Sequence, residues 1–136
     1  MKELRYRRRV QFADTDLAGL VHFSWYFRYM EEAEHALWRD AGLTVASPSD
    51  TIRYPRVSAT CEFRAPLRFE DEIEIEIRVA AVGSRAIRYD CVIQRGETIA
   101  ARGSITVACI DTADGATPRA IDIPARVSAA LEGRAG

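Results

Sequence analysis

The sequence has few cysteines, and none of them lie close together. Cys61, Cys91 and Cys109 are odd in number and widely spaced, and no C-x-x-C pair occurs. Disulfide frameworks need paired cysteines, and structural zinc sites need clustered ones. The cysteines therefore predict buried, reduced thiols of a cytoplasmic protein, and they argue against a disulfide-stapled domain or a zinc site.

Long hydrophobic runs and a strong net charge are also missing. No segment approaches the ~20 apolar residues of a membrane-spanning helix, and the first residues lack the apolar core of a signal peptide. The formal net charge is −1, so no attraction to nucleic acid or to a membrane surface is expected. We interpret the short basic run Arg7-Arg8-Arg9 as the solvated part of a first strand, because charge protects strand edges.

Several catalytic signatures are absent. The sequence contains no G-x-S-x-G, no P-loop and no G-x-G-x-x-G, which argues against a serine hydrolase, a kinase or a nucleotide-cofactor enzyme. The two histidines, His22 and His35, do not form a metal-ligand pair, since His35 falls on the polar side of a predicted helix. No metal and no cofactor are expected.

What the sequence does contain is typical of one globular domain over residues 1–136. It is 48% hydrophobic and 29% charged, and a chain of this length buries roughly two-thirds of its unfolded surface. A helix is predicted from Ser24, a suitable N-cap, to the residue before Gly42, a C′ glycine. Its buried stripe has spacing i, i+4, i+7 and i+11 (Tyr26, Met30, Ala33 and Leu37), and a polar side lies opposite (Arg28, Glu31, Glu32, His35 and Arg39).

Strands are predicted on both sides of this helix. The first is Leu4–Ala13, and after a loop over 42–55 four more follow at 57–64, 72–79, 87–93 and 98–110. The segment 72–79 alternates isoleucine or valine with glutamate or arginine, which is typical of a strand with one buried face. A polar loop over 111–118 and a short helix over 124–131 complete the chain. A helix covering one face of an antiparallel sheet, with the last four strands as a meander, predicts an α+β fold.

The chemistry concentrates at Asp14 and Asp16, which are predicted to end the first strand just ahead of the helix. The first turn of a helix has free N–H groups and a partial positive charge. A substrate carbonyl bound there would be polarised while Asp16 attacks it or activates water. The alternative is that Asp16 only caps the turn at Gly19, since turns favour aspartate. Asp14 is predicted to bond the loop and hold its shape.

Residues 14–27, D-T-D-L-A-G-L-V-H-F-x-x-Y-F, resemble the signature of the 4-hydroxybenzoyl-CoA thioesterase family, in the type whose catalytic aspartate precedes the helix. The resemblance implies a hotdog fold, a curved antiparallel sheet of about five strands wrapped around one long central helix. It implies that Asp16 is the nucleophile or general base. It also implies that Phe23 is the helix-start residue whose backbone N–H polarises the thioester carbonyl.

The same resemblance suggests the substrate contacts. The backbone N–H groups near Phe23 and Ser24 would bind the developing oxyanion. The acyl group would border the helix start near His22 and Tyr26, with Gly19 in the adjoining turn, although His22 is equally well explained as a hydrogen-bonding histidine. Arg85 and Arg88, after the turn at Gly83, correspond to a region that holds CoA in the family, and arginine suits phosphate. Two further arginines, Arg64 and Arg68, are similar candidates.

The sequence therefore predicts an acyl-CoA thioesterase that forms a homodimer or a tetramer of dimers. Glu31, Glu32 and His35 form a rival catalytic site, because some hotdog thioesterases carry the carboxylate on the helix. The i,i+4 pairs Arg28–Glu32 and Glu31–His35 on a polar face explain these residues as well. Two other functions stay open: hydrolysis of thioesters on acyl carrier protein, and acyl binding without catalysis.

Overall fold

The computed structural model describes residues 1–113, 115 and 117–133. Two predictions fall partly outside this range: the polar loop over 111–118, at residues 114 and 116, and the single domain over 1–136, after residue 133. In chain order the elements are β1 (Glu3–Arg9), a 3₁₀ turn (Phe12–Asp14), α1 (Phe23–Asp40), β2 (Ile52–Arg53), β3 (Arg56–Phe63), β4 (Glu72–Val82), β5 (Ala86–Arg95), β6 (Thr98–Ala108), β7 (Ile110–Asp111), β8 (Arg119–Ala120) and α2 (Ala125–Glu132).

The main sheet has five antiparallel strands in the order β1-β4-β5-β6-β3. The predicted four-strand meander is therefore wrong for β3, which pairs with β6 at the far edge. Tight turns join β4 to β5 and β5 to β6, whereas residues 64–71 separate β3 from β4 and contain Pro66. A connection of that length does not form a hairpin, so β3 is free to pair elsewhere.

A second, three-stranded sheet has the order β2-β7-β8. Its strand β2 lies in the region predicted to be a loop over 42–55. Its strand β7 was predicted to continue β6, but the main sheet ends at Ala108 and Ile110 pairs with Arg53 instead. These strands are two residues long, too short to show a period in the sequence.

The core lies between the main sheet and α1, and it follows the predicted periodicity. The inward residues of β4 and β5 are buried (Ile73, Ile75, Ile77, Val79, Ile87, Tyr89, Cys91 and Ile93), as is the helix stripe (Tyr26, Met30, Ala33 and Leu37). α1 has 18 residues, and Gly42 follows its C-cap residue with φ +77°. This confirms the predicted C′ glycine. The α+β class is confirmed, with a helix of about 27 Å on the sheet.

β1 ends earlier than predicted. It stops at Arg9, and Phe12 in the following 3₁₀ turn is 76% exposed. Asp14 initiates this change, because its carboxylate accepts the Gln11 N–H at 2.9 Å and its own N–H donates to the Gln11 carbonyl at 3.0 Å. The prediction that the arginine run is solvated is wrong for Arg8, whose side chain is only 15% exposed.

The three cysteines are free, with Cys91 and Cys109 buried and Cys61 half-buried. Burial raises the pKa of Cys61 to about 11 and that of Cys91 to about 12. Thiols with such pKa values stay protonated at neutral pH and are poor nucleophiles. Among the residues described, no helix is long and apolar enough to cross a membrane.

Candidate active site

The loop before α1 is a tight β-hairpin over residues 15–21. Thr15 pairs with Val21, and the Asp16 N–H donates to the Leu20 carbonyl at 2.8 Å. The Gly19 N–H donates to the Asp16 carbonyl at 3.0 Å, and Gly19 has φ +79°. This is the pattern of a turn closed by a residue in the left-handed region, which glycine adopts without strain. This left-handed backbone conformation is sufficient to explain a glycine at position 19, whether or not Gly19 also contacts substrate.

The Asp16 carboxylate is exposed and oriented by the hairpin. Its Oδ1 atom accepts the Ala18 N–H at 2.8 Å and the Leu20 N–H at 3.2 Å, so the turn-capping alternative describes this oxygen correctly. No residue in the described part of the chain donates a hydrogen bond to Oδ2. The carboxylate therefore has one oxygen held by the loop and a second available for chemistry.

His22, and not Ser24 as predicted, is the N-cap of α1. Its ring Nδ1 accepts the Ser24 N–H at 3.2 Å and lies 2.8 Å from the Ser24 hydroxyl. Ser24 is the second residue of the helix, two positions after the N-cap. The cap occupies the Ser24 N–H, while no acceptor for the Phe23 N–H is found within the described residues. Of the two predicted oxyanion donors, the one at Phe23 is open.

Replacing His22 with alanine is expected to lower the free energy of unfolding by about 1 kcal/mol, because the Ser24 N–H loses its acceptor. His22→Asn is the matched control, since asparagine caps helices well and should restore most of the loss. Urea unfolding of the three proteins measures the differences. Equal stability of the alanine and asparagine variants would contradict the capping role.

A cleft of about 320 Å³ opens beside the helix start. Its walls come from the hairpin, the helix and the end of β3 (Leu20, Val21, Phe23, Tyr26, Phe63, Arg64, Ala65 and Pro66). Tyr26 is buried, and its ring meets that of Phe63 edge to face at 4.8 Å between centroids. Phe63 was not identified from the sequence, in which its only signal is an aromatic residue at the end of a predicted strand.

A groove of about 410 Å³ over β1 and β4 is larger but less suited to a ligand. Its charged residues largely neutralise one another, as in the pairs Arg9–Glu72 and Arg7–Glu74, the latter at 3.8 Å. Its lining also includes no residue of the helix N-terminus that would polarise a carbonyl. The cleft at Phe23 is therefore the better candidate.

The candidate arginines fall into two groups. Arg85 and Arg88 lie at the far end of the main sheet, where Arg85 bonds Asp122 at 2.9 Å and Arg88 lies 3.8 Å from Asp90. The 11 residues of β4 separate that end from the hairpin of Asp16, roughly 35 Å along the strand. Arg64 lines the cleft, and Arg68 pairs with Leu20. Within one chain, the structure brings Arg64 and Arg68 near the site and leaves Arg85 and Arg88 remote.

The rival carboxylates on the helix are held in ion pairs, though not the ones predicted. Glu32 bonds Arg8 at 3.1 Å instead of Arg28, and Glu31 lies 3.6 Å from Arg56 instead of pairing with His35. Their partners come from β1 and β3, elements whose position the helix sequence does not reveal. Such pairing favours a structural role for these glutamates. In the part of the chain that the structure describes, no group of three His, Cys, Asp or Glu residues is arranged to hold a metal ion.

Comparison with known proteins identifies the family of the chain. The thioesterase-like superfamily matches residues 10–131. The 1,4-dihydroxy-2-naphthoyl-CoA hydrolase of Trichodesmium erythraeum is 34% identical over 110 residues, which is 77% of this chain and 80% of the relative. The solved structure of a gentisyl-coenzyme A thioesterase has a TM-score of 0.85 at 27% identity, covering 94% of this chain and 99% of its own.

A second solved structure shows the shared fold alone. It is a 1,4-dihydroxy-2-naphthoyl-CoA thioesterase from Synechocystis, with a TM-score of 0.87 at 22% identity over 96% of both chains. The TM-scores above 0.8 over nearly the whole chain show that both solved structures share the overall fold of this protein. With the match over residues 10–131, these findings show that the chain belongs to the thioesterase-like superfamily and has its hotdog fold.

Proposed function

We propose that this protein, a thioester hydrolase, cleaves an acyl-CoA to a carboxylic acid and free CoA. The observation that carries the proposal is the juxtaposition of the Asp16 hairpin with a helix whose first N–H, at Phe23, is open. Hydrolysis of a thioester develops negative charge on the carbonyl oxygen, which an open N–H at a helix N-terminus stabilises.

Asp16 supplies the second half of the reaction. Its free oxygen either attacks the thioester carbon, giving a mixed anhydride that water then hydrolyses, or removes a proton from the attacking water. In both routes the C–S bond breaks, the thiolate leaves and takes up a proton, and one water is consumed. The hydrogen bonds from Ala18 and Leu20 hold the carboxylate in one orientation, which reduces the ordering needed in the transition state.

The cleft supports an aromatic acyl group. Three aromatic residues line it, Phe23, Tyr26 and Phe63, and aromatic rings pack well edge to face or offset. Two similar proteins are named for the aromatic substrates 1,4-dihydroxy-2-naphthoyl-CoA and gentisyl-CoA. From the motif over residues 14–27 we also propose, more narrowly, that this protein is a member of the 4-hydroxybenzoyl-CoA thioesterase family.

A substrate panel tests the function. Thiol release is measured from benzoyl-, 4-hydroxybenzoyl- and hexanoyl-CoA and from the same acyl groups on pantetheine and on acyl carrier protein. We expect the highest kcat/KM with an aromatic acyl-CoA. A preference for the carrier-protein thioesters would indicate that the substrate is an acyl carrier protein thioester. Acyl-CoA binding without thiol release would indicate a binding domain that does not catalyse hydrolysis.

We also propose that the chain self-associates through β3. This strand is at the edge of the main sheet, and its side chains Val57 and Phe63 are 61% and 51% exposed. Exposed strand edges are usually paired or covered. Pairing of two copies would also allow Arg85 and Arg88 of one subunit to serve the Asp16 of the other, which one chain alone does not permit.

Arg85→Ala is expected to raise KM for an acyl-CoA several-fold with little change in kcat, the pattern of lost uniform binding. The matching pantetheine thioester, which lacks the nucleotide, should be unaffected. Arg64→Ala is the comparison, because Arg64 lines the cleft of the same chain. A KM increase with Arg64→Ala alone would show that one chain holds the whole substrate.

Subunit mixing tests the shared site directly. Asp16→Ala and Arg85→Ala chains, each defective alone, should recover a low KM when unfolded together and refolded, because the mixed dimer contains one intact site. Light scattering of the wild type should show a dimer or larger assembly. An active monomer at micromolar concentration would contradict both the shared site and the self-association.

A further inference from the structure

Asp14 is buried at the centre of the segments that surround the hairpin. Its side chain is 1% exposed, and its Oδ2 atom accepts three hydrogen bonds: from Arg8 at 2.5 Å, from the Tyr29 hydroxyl at 2.7 Å and from the Gln11 N–H at 2.9 Å. The donors belong to β1, α1 and the residue before the 3₁₀ turn. One carboxylate oxygen therefore ties together the three segments around Asp16.

Arg8 keeps the buried charge compensated. Its guanidinium also bonds Glu32, and it lies 4.9 Å from the centroid of the Tyr29 ring. Burial lowers the pKa of Arg8, but the hydrogen bond to Glu32 and the charges of Glu32 and Asp14 outweigh burial and raise it. Burial and the bond to Asp14 raise the pKa of Tyr29, so that its hydroxyl stays a donor.

The backbone of Asp14 connects this cluster to both parts of the proposed site. Its carbonyl accepts the N–H of His22, the N-cap residue, at 2.8 Å. The next residue, Thr15, pairs with Val21. One arm of the hairpin thus leads from Asp14 to Asp16, and the other leads through His22 to Phe23. A displacement of Asp14 would change the position of the carboxylate relative to the open N–H.

We infer that Asp14 is a positioning residue that aligns Asp16 with the Phe23 N–H and acts on turnover through Asp16. The inference rests on the proposed thioesterase function. Misplacement of a reacting group by about 1 Å costs roughly 100-fold in rate, so a residue that holds the hairpin has a large effect without touching substrate.

The chain offers a matched control at Glu34. Its side chain is also 1% exposed, one oxygen is bound by Arg56 at 2.7 Å, and the other oxygen has no partner among the described residues, as is the case for Asp14 Oδ1. Glu34 lies 11 positions after Phe23 along α1, about 16 Å at 1.5 Å per residue. Glu34→Gln therefore removes a similarly buried charge far from the hairpin.

The first experiment compares Asp14→Asn with Glu34→Gln. Asparagine keeps one oxygen for the three donors but loses the charge that Arg8 compensates. We expect kcat to fall about 10- to 100-fold with Asp14→Asn while KM stays within about twofold. Glu34→Gln should keep kcat within about twofold although it also loses stability. Equal kcat losses in the two variants would overturn the inference.

The second experiment combines the substitutions. If Asp14 acts through Asp16, adding Asp14→Asn to Asp16→Ala should change the residual rate by less than about twofold. A double variant whose loss is the product of the single losses would show an independent role and overturn the inference.

The third experiment does not depend on activity. The Ala18 and Leu20 amides donate to Asp16 Oδ1, so their hydrogen exchange reports the state of the hairpin. Asp14→Asn should accelerate it several-fold and Glu34→Gln should not. Tyr29→Phe, which removes one of the three donors, should also accelerate the exchange of these amides. It replaces Asp14→Asn in this experiment if Asp14→Asn does not fold. Unchanged amide exchange in Asp14→Asn would overturn the inference that Asp14 positions the hairpin. Faster exchange in a protein that cleaves no thioester would support this inference and contradict the proposed function.

Discussion

Replacing Asp16 with alanine is expected to lower kcat for thioester hydrolysis about 1,000-fold, because general bases and nucleophiles contribute on this scale. The fold should stay intact, since Asp16 is exposed and the core does not include it. Thiol release from the best acyl-CoA, measured with the purified variant and the wild type, gives the ratio. Thermal unfolding of both proteins verifies that the variant is folded.

Asp16→Asn separates catalysis from turn capping. Asparagine caps turns as well as aspartate does and can keep an oxygen for the Ala18 and Leu20 amides, but it is neither a nucleophile of comparable strength nor a base. We therefore expect Asp16→Asn to be as inactive as Asp16→Ala and more stable. An active Asp16→Asn variant would reduce Asp16 to a structural role. If Glu32→Gln is inactive while Asp16→Ala is active, the catalytic carboxylate lies on the helix.

Replacing Gly103 with alanine is expected to lower the free energy of unfolding by about 1–3 kcal/mol, the usual cost of overpacking. Gly103 lies in β6 beneath the helix stripe, between Cys61 of β3 and Cys91 of β5. An added Cβ would overlap the Met30 Cε and lie 2.8 Å from the Thr60 carbonyl oxygen. The methionine can rotate away, but the backbone of β3 would have to move.

Gly83→Ala is the matched control for this prediction. Among the residues that the structure describes, its Cβ would meet only the Ala86 carbonyl oxygen, at 3.5 Å, which is an ordinary contact. Urea unfolding should therefore show a change of less than about 0.5 kcal/mol for Gly83→Ala. Combining Gly103→Ala with Met30→Ala should recover little, because the clash with Thr60 stays. Full recovery would show that the methionine alone sets the cost.

Much of the local structure was predictable from the sequence because it depends on local patterns. The alternation in residues 72–79 predicts one buried face of β4, and the stripe from Tyr26 to Leu37 predicts the buried side of α1. Gly42 predicts the helix end through its left-handed conformation. The motif over residues 14–27 predicts the thioesterase superfamily and a turn at Gly19. Each of these features is decided by neighbours within a few positions along the chain.

The site depends in addition on partners that are distant in sequence. Arg8 was predicted to lie on the surface, but the fold places it against Asp14 and Glu32. The N-cap of the helix is His22 and not the predicted Ser24. The cleft needs Phe63, which β3 supplies from the far edge of the sheet. No spacing in the sequence connects these residues, because side-chain contacts between elements do not follow chain order.

By itself, then, the sequence determined the buried faces, the helix with its C-terminal glycine, the family motif and the two aspartates before the helix. Only the tertiary structure decided the order of the strands, the burial of Arg8 and Asp14 and the separation of Arg85 from Asp16. The physical reason is that hydrophobic periodicity specifies which face of an element is buried but not which element covers it. Strand pairing and buried charge pairs are decided when all the elements pack together.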